Sequence, residues 1–266
     1  MSCKNKQHTE EIFRTLRALR LVDNDLMEAC FKDNLEAADL LLKIILDRKD
    51  LTVTGVSTQY HIAGFQNHNV CLDIYATDIE GNKYNIEVQR ANKGEEPQRA
   101  RYYSSMIDTD MLMHGQDYDQ LRENYVIFIT ENDVFRLNQP IYHIERIIQE
   151  GNVKFGDGEH IIYVNGAMRS KDTALSRLMN DFFCTDADDM FYKELADRVR
   201  YYKNSEEGVY HMYDVMEETL KKVEFQKACE IANNLIEVGK LSLEEIAACS
   251  GLTIEKVREL AGNKSA

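Results

Sequence analysis

The run "NYVIFIT" (Asn124–Thr130) is the tightest constraint on how this chain folds. It is almost continuously apolar, which fits a strand covered on both faces. Other segments supply the cover and the neighbouring strands. From His8 to Leu46 the pattern is helical, and "NLEAADLLLKIILD" puts Leu35, Ala38, Leu42 and Ile45 on one stripe with Leu41 and Ile44 alongside. "LTVTGVSTQYHI" (Leu51–Ile62) is rich in β-branched residues and reads as a strand. "VCLDIYATD" and "KYNIEVQR" flank Glu80-Gly81-Asn82, a hairpin turn. Pro97 opens a helix that Gly115 closes. "IYHIERI" and "HIIYVNG" are two further strands with a glycine-rich loop between them, and from Thr173 the chain is helical to its end. Helices and strands alternating around a short mixed sheet make an α/β fold. The sequence predicts an α/β domain over residues 1–170, a central mixed sheet flanked by helices, and a helical C-terminal region over 171–266.

Composition narrows the function. The formal net charge of −14 over 266 residues argues against a protein that coats nucleic acid non-specifically, because phosphate repulsion must be overcome. A local basic site, or acids that hold a divalent cation, remain compatible with it. No apolar run approaches the roughly 20 residues of a membrane span, so no membrane partner is expected. The polar N-terminal stretch carries no apolar core for a signal peptide, and the six cysteines form no CxxC pair. Reduced thiols and a cytoplasmic location are the expectation. No GxGxxG, P-loop, HExxH or GxSxG occurs.

Two acids stand out. In "VCLDIYATD" strict alternation puts Val70, Leu72, Ile74 and Ala76 on one face and Cys71, Asp73 and Tyr75 on the other. In "YNIEVQR", Ile86 and Val88 share a face opposite Asn85, Glu87 and Gln89. Adjacent strands thus offer a polar face with Asp73, Glu87 and Gln89. Carboxylates so placed repel unless something neutralises them. A hard divalent cation such as Mg²⁺ or Mn²⁺ would do so through oxygen ligands. Spacing alone leaves a second reading open, in which the polar face meets solvent.

The stretches "FKDNLEAADLLLKIIL", "LDIYATDIEGNKYNIEVQR", "RARYYSSM" and "GQDYDQL" occur in this order. Together they closely resemble the PD-(D/E)xK nuclease family transposases, also called recombination-promoting nucleases. The resemblance is strong from Leu26 to Thr130 and more diffuse in the helical tail. It implies a restriction-endonuclease-like core over residues 1–170 and a Mg²⁺-dependent DNA endonuclease site, linked to recombination or mobile elements. By position Asp73 looks like the family's metal-binding aspartate and Glu87 like the second acid. Gln89 occupies the place usually written Lys. Glu36 resembles the additional helix acid that many superfamily members point at the metal. Gln89 departs from the Lys pattern and removes a cation, which supports the alternative of a nuclease-derived, catalytically weak DNA- or protein-binding module.

Arg90, Lys93, Arg99 and Arg101 cluster close to the acids in an otherwise acidic chain, and guanidinium forks suit DNA phosphates. His61 and His68 read as structural, and Met106, Met111 and Met113 as core filling. At the C-terminus, Ser242 with Glu245 forms a capping box, Gly251 stops that helix and Thr253 caps the next. Ala247, Gly251 and Val257 have helix-turn-helix spacing. The second helix, however, offers a near-neutral mixture of Glu255, Lys256, Arg258 and Glu259. That favours a hairpin for packing or homodimerisation over a reader of DNA sequence.

Overall fold

In the computed structural model, which describes residues 3–64, 68–90, 96–169 and 172–262, "NYVIFIT" is a strand buried along its whole length. The strands in chain order are β1 (Val53–Ile62), β2 (Val70–Asp78), β3 (Lys83–Gln89), β4 (Asn124–Thr130), β5 (Ile141–Ile144), β6 (Ile147–Ile148), β7 (Val153–Lys154) and β8 (Glu159–Asn165). The main sheet runs β1-β2-β3-β4-β8-β5, with β6 and β7 as a separate ribbon. β1, β2 and β3 form an antiparallel meander, β3 pairs with β4 and β4 with β8 in parallel, and β5 closes the edge antiparallel to β8. Parallel neighbours need a crossover. Between β3 and β4 it is made by α4 (Pro97–Met111), opened by its proline as the sequence predicts. Ala100, Tyr103, Met106 and Ile107 of α4 pack with Val126, Phe128 and Tyr163 of the sheet.

The remaining helices of this part are α1 (Cys3–Ala18), α2 (Asn24–Phe31), α3 (Leu35–Leu46), α5 (Ala174–Phe183) and α6 (Lys193–Asn204). The helical stretch His8–Leu46 is therefore three helices, not one. Between α2 and α3 the chain turns a corner at Asp33, whose φ is +52°, and Asn34 caps α3 by accepting from the Ala37 amide at 3.2 Å. In α3 the buried stripe is Ala37, Ala38, Leu41, Leu42 and Ile45, while Leu35 stands exposed at the helix start, ahead of the first full turn. "IYHIERI" also divides. Glu145 pairs with Lys154, and Arg146 pairs with Asp157 and Glu159, so the charged dipeptide separates β5 from β6. Together these elements form the restriction-endonuclease-like α/β core.

The chain divides into two compact units, Met1–Met212 and Tyr213–Ala266, with the division inside α7 (Glu206–Val238). The boundary expected at residue 170 precedes α5 and α6, and both lie within the first unit. Arg198 of α6 explains part of that: its guanidinium donates to the carbonyls of Ala29, Cys30 and Lys32, which end α2. Lys203 does the same for the carbonyls of Arg17, Leu19 and Thr185. Cations over orphan helix carbonyls are favourable both as hydrogen bonds and against the helix dipole. In the second unit α8 (Leu243–Ser250) and α9 (Ile254–Gly262) enclose a small core of Ala232, Ile246 and Val257. The Ser242–Glu245 capping box, the left-handed Gly251 and the Thr253 cap are all present. No described helix is long and apolar enough to cross a membrane.

Candidate active site

β2 and β3 pair through Thr77↔Lys83, Ala76↔Tyr84, Tyr75↔Asn85 and Ile74↔Ile86, and the regular ladder stops there. At the next rung side chains take over from the backbone. The Asp73 amide donates to Glu87 Oε1 at 3.2 Å, and the Val88 amide donates to Asp73 Oδ2 at 3.1 Å. Each carboxylate thus satisfies a backbone donor of the opposite strand, and the two acids face each other across the open end of the pair. β3 keeps its other edge paired with β4 as far as Gln89↔Thr130.

β1 is irregular at the same level. Between the pairs Thr58↔Ile74 and Tyr60↔Leu72 stands Gln59, with φ +50° in mid-strand. A non-glycine residue held there costs on the order of 1–3 kcal/mol and tends to mark functional sites. Its consequence is visible in the side chains. Tyr60 and Tyr75 would lie on opposite faces of a regular pair, yet their rings stack at 4.7 Å and both hydroxyls donate to Asp110 of α4. Val70 and Leu72 likewise join Tyr75 in the core under α4. The expected common face for Val70, Leu72, Ile74 and Ala76 is therefore broken at Asp73. No period-2 pattern reveals this, because it follows from one left-handed residue on the partner strand. The Gln59 side chain accepts from Cys71 Sγ at 3.2 Å, donates to Asn24 Oδ1 of α2 at 3.2 Å, and favours the charge of Asp73.

Glu87 is wholly buried. Burial, followed by the charge of Asp73, pushes its carboxyl up to about 8 in spite of Arg99. Asp73 is also raised, chiefly by burial, with the Val88 amide and Arg99 working in the opposite sense. Arg99 Nη2 lies 2.9 Å from Glu87 Oε2, and its guanidinium sits 4.8 Å over the Tyr103 ring and 6.0 Å from the Phe128 ring. Asn85, on the Glu87 face and fully buried, favours the Glu87 charge, yet neither polar atom of its amide closes a hydrogen bond of ordinary geometry. Two hard-oxygen acids with too little positive charge, beside an unsatisfied amide, suit a small divalent cation. The described residues hold no cluster of three or more His, Cys, Asp or Glu able to form a complete cage. The chain would supply Asp73 and Glu87, leaving water and substrate oxygens to complete the shell.

The other residues singled out in the sequence scatter. Glu36 is exposed in the first turn of α3, a helix that packs on β1. The helix acid whose charge bears on Asp73 and Cys71 is Glu28 of α2, which packs on β1 and β2. The resemblance points to the acid of α3, while the apolar stripe of "DLMEACF" marks α2 as a separate buried helix that carries Glu28. Gln89 is half-buried at the end of β3. Arg90 is turned to Asp23, with which it forms an ion pair, and Lys93 lies outside the described residues. Arg99 is engaged with Glu87, so its first partner is an acid and not open solvent. Arg101 is exposed on α4. Beside the acids lies an open groove of about 740 Å³, lined by His68, Cys71, Arg99, Arg101, Tyr102 and Tyr103 among others. Tyr102 pins its rim by donating to the His68 carbonyl at 2.9 Å. His61 lies 3.8 Å from Cys71 Sγ. Of the methionines on and after α4, Met106 is core and Met113 is exposed.

Residues 35–177, more than half of the chain, match the family model described as PD-(D/E)XK nuclease family transposase. No curated protein and no solved structure matches the chain. The matched span contains Asp73, Glu87, Gln89 and Arg99 and begins after Glu28 and Asn24. On that match, and on the sheet that carries the two facing acids, the chain belongs to the PD-(D/E)XK nuclease family transposases.

Proposed function

We propose that this chain is a Mg²⁺- or Mn²⁺-dependent DNA endonuclease that hydrolyses a phosphodiester at the open end of β2 and β3. The observation that carries this reading is the pair of facing carboxylates, Glu87 wholly buried and Asp73 half-buried, whose charge Arg99 offsets only in part. Asp73 and Glu87 hold the cation. When bound, such an ion polarises the phosphodiester and lowers the pKa of a coordinated water. Gln89, two residues beyond Glu87 on the same strand, orients the water or a phosphate oxygen through its amide. The groove with Arg101 and Tyr102 accepts the DNA backbone next to the reacting phosphate. A role in recombination or mobile-element biology accords with the family.

Nicking of supercoiled plasmid with and without Mg²⁺ tests this. The wild type is expected to nick only with the metal, and Asp73→Ala to lose both nicking and Mn²⁺ binding. A wild type that leaves plasmid intact in Mg²⁺ and in Mn²⁺ overturns it. The Arg99–Glu87 ion pair favours one second reading, a binding module whose acid is occupied by its own arginine. In that case plasmid is retarded on a gel and never cut.

A further inference from the structure

We propose that Arg99 supplies, from α4, the positive charge that β3 lacks at Gln89, and that it exchanges Glu87 for the scissile phosphate in the transition state. The inference rests on the endonuclease reading and assigns one more catalytic residue to it.

Hydrolysis of a phosphodiester forms a bond from a water oxygen to phosphorus as a P–O ester bond breaks. The water loses a proton to solvent and the departing oxygen gains one. Negative charge grows on the phosphoryl oxygens meanwhile, and a preorganised donor aimed at them is the largest lever available to a protein. Gln89 can donate a neutral amide only. Among the described residues Arg99 is a cation that bears on both Asp73 and Glu87, and it pairs with Glu87 at 2.9 Å. The β3–α4–β4 crossover carries it back over the face from which Glu87 projects. The Tyr103 and Phe128 rings hold its guanidinium by their faces, so the fork is placed before substrate arrives. Its side chain is 30% exposed and lines the groove, while its partner Glu87 is wholly buried. The arginine therefore stands between the acid and the position a phosphate would take. A guanidinium keeps its charge at any working pH, and its paired N–H groups match phosphate oxygens as well as they match a carboxylate. The fork of Arg99 would be freed from Glu87 when Asp73 and Glu87 hold a divalent ion that offsets their charge. The cation nearest in sequence to Gln89, Arg90, is already paired with Asp23.

A charge-transplant series decides the matter. Single-turnover nicking at saturating Mg²⁺ and saturating plasmid is measured for wild type, Arg99→Lys, Arg99→Gln and the double variant Arg99→Gln/Gln89→Lys. Arg99→Gln is expected to slow cleavage by about 10²–10³, the usual loss for one transition-state donor. Arg99→Lys is expected to fall between it and wild type. The double variant is expected to regain at least about tenfold over Arg99→Gln, because the missing charge returns on β3. Mn²⁺ calorimetry, run above the pH at which Glu87 titrates, gives a readout apart from cleavage. Arg99→Gln should bind Mn²⁺ several-fold more tightly, since the acids lose a competing cation. Thermal melts establish that each variant is folded, and Arg99→Lys carries the test if Arg99→Gln is not. Arg99→Gln cleaving at the wild-type rate overturns the proposal, as does a folded, Mn²⁺-binding double variant no faster than Arg99→Gln. Failure of the wild type itself to nick is a different outcome, which removes the endonuclease reading and this assignment with it.

Discussion

The two ends of the β2–β3 pair both bury acids, and they treat them in opposite ways. At the turn, Asp78 is 4% exposed yet surrounded by donors: the amides of Glu80 and Asn82 at 2.9 Å, Asn82 Nδ2 at 3.0 Å and the Tyr84 hydroxyl at 2.7 Å. Burial pushes its carboxyl up, but Tyr84 and Asn82 outweigh it and hold Asp78 below the ordinary carboxylate range. At the open end, Asp73 and Glu87 each take one backbone donor from the other's strand, repel each other, and stay raised. Backbone conformation follows the same division. The turn places its positive φ of +87° on Gly81, where no Cβ objects, whereas the open end places +50° on Gln59. Burial alone therefore does not mark a functional acid. The mark is burial without enough donors, here beside a left-handed glutamine in mid-strand.

The largest expected effects invert this comparison. Glu87→Gln should abolish nicking and Mn²⁺ binding while leaving the fold as stable as wild type, and more so at alkaline pH, where the buried Glu87 carboxyl has to ionise. Asp78→Ala should do the reverse. It strands several buried donors and should cost about 2–4 kcal/mol in chemical denaturation, while the protein that remains folded still binds Mn²⁺. If both variants destabilise equally, the distinction between the two ends fails.

Gln89→Ala comes next. Gln89 anchors no turn and faces the acids' side of β3, so its loss should slow cleavage tenfold to a thousandfold, about 1.4–4 kcal/mol, with metal affinity nearly intact. Gln89→Lys should retain measurable activity. Wild-type cleavage by Gln89→Ala would put this residue outside the site and detach it from Glu87.

Much of this arrangement was readable from residue order, and the unread parts share a physical cause. The fully buried β4, the β2–β3 hairpin, the crossover helix behind Pro97 and the Ser242 cap are local signals of burial, turn and capping chemistry. Asp73 and Glu87 were legible because an acid in an apolar strand violates the pattern around it. Glu28, the partners of Arg99 and the face change at Asp73 were not. Each depends on what the chain does elsewhere: a corner at Asp33, a crossover that returns α4 to the sheet, and a left-handed residue on the neighbouring strand. Periodicity sees one element at a time. The resemblance points to Glu36 as the helix acid, whereas the corner at Asp33 puts Glu36 on α3 and leaves Glu28 of α2 as the helix acid whose charge bears on Asp73.

The pH dependence of stability should separate the two ends with the metal absent. For Glu87 the folded pKa of about 8 lies above its ordinary value of 4.5. The native state therefore keeps a proton that the unfolded chain has released. Its contribution is complete below pH 4.5 and declines as pH rises toward 8, by at most about 1.4 kcal/mol per unit for one proton. Asp78, held below 3.8, works in the other sense: its contribution is present above that value and lost as pH falls below it. Melts across pH should thus fall off on both sides. Glu87→Gln should flatten the alkaline side only, and Mn²⁺ should do the same in wild type by favouring the ionised acids. An alkaline slope unchanged in Glu87→Gln would assign it to another group.

The smallest effect concerns Gln59, and it tests whether strain at the open end is tolerated for the sake of Asp73. Two terms act at this position. Its backbone sits at +50°, which glycine adopts freely and alanine does not. Its side chain links Asn24, Cys71 and Asp73. Gln59→Gly removes both the strain and the links, whereas Gln59→Ala removes the links and keeps the strain. The glycine variant should therefore be more stable than the alanine variant by about 1 kcal/mol, measured as a difference in denaturation midpoints at equal slope. Both should bind Mn²⁺ a few-fold more weakly than wild type, because the Asp73 charge loses the same favourable neighbour in each. At the turn the corresponding change runs the other way: Gly81→Ala adds strain, costs about 1 kcal/mol, and leaves Mn²⁺ affinity untouched. Equal stability of the two Gln59 variants would mean that the residue leaves the left-handed region in solution. Unchanged Mn²⁺ affinity in both would mean that Asp73 holds its place without Gln59, leaving the face change in β1 as a packing feature of the stacked tyrosines.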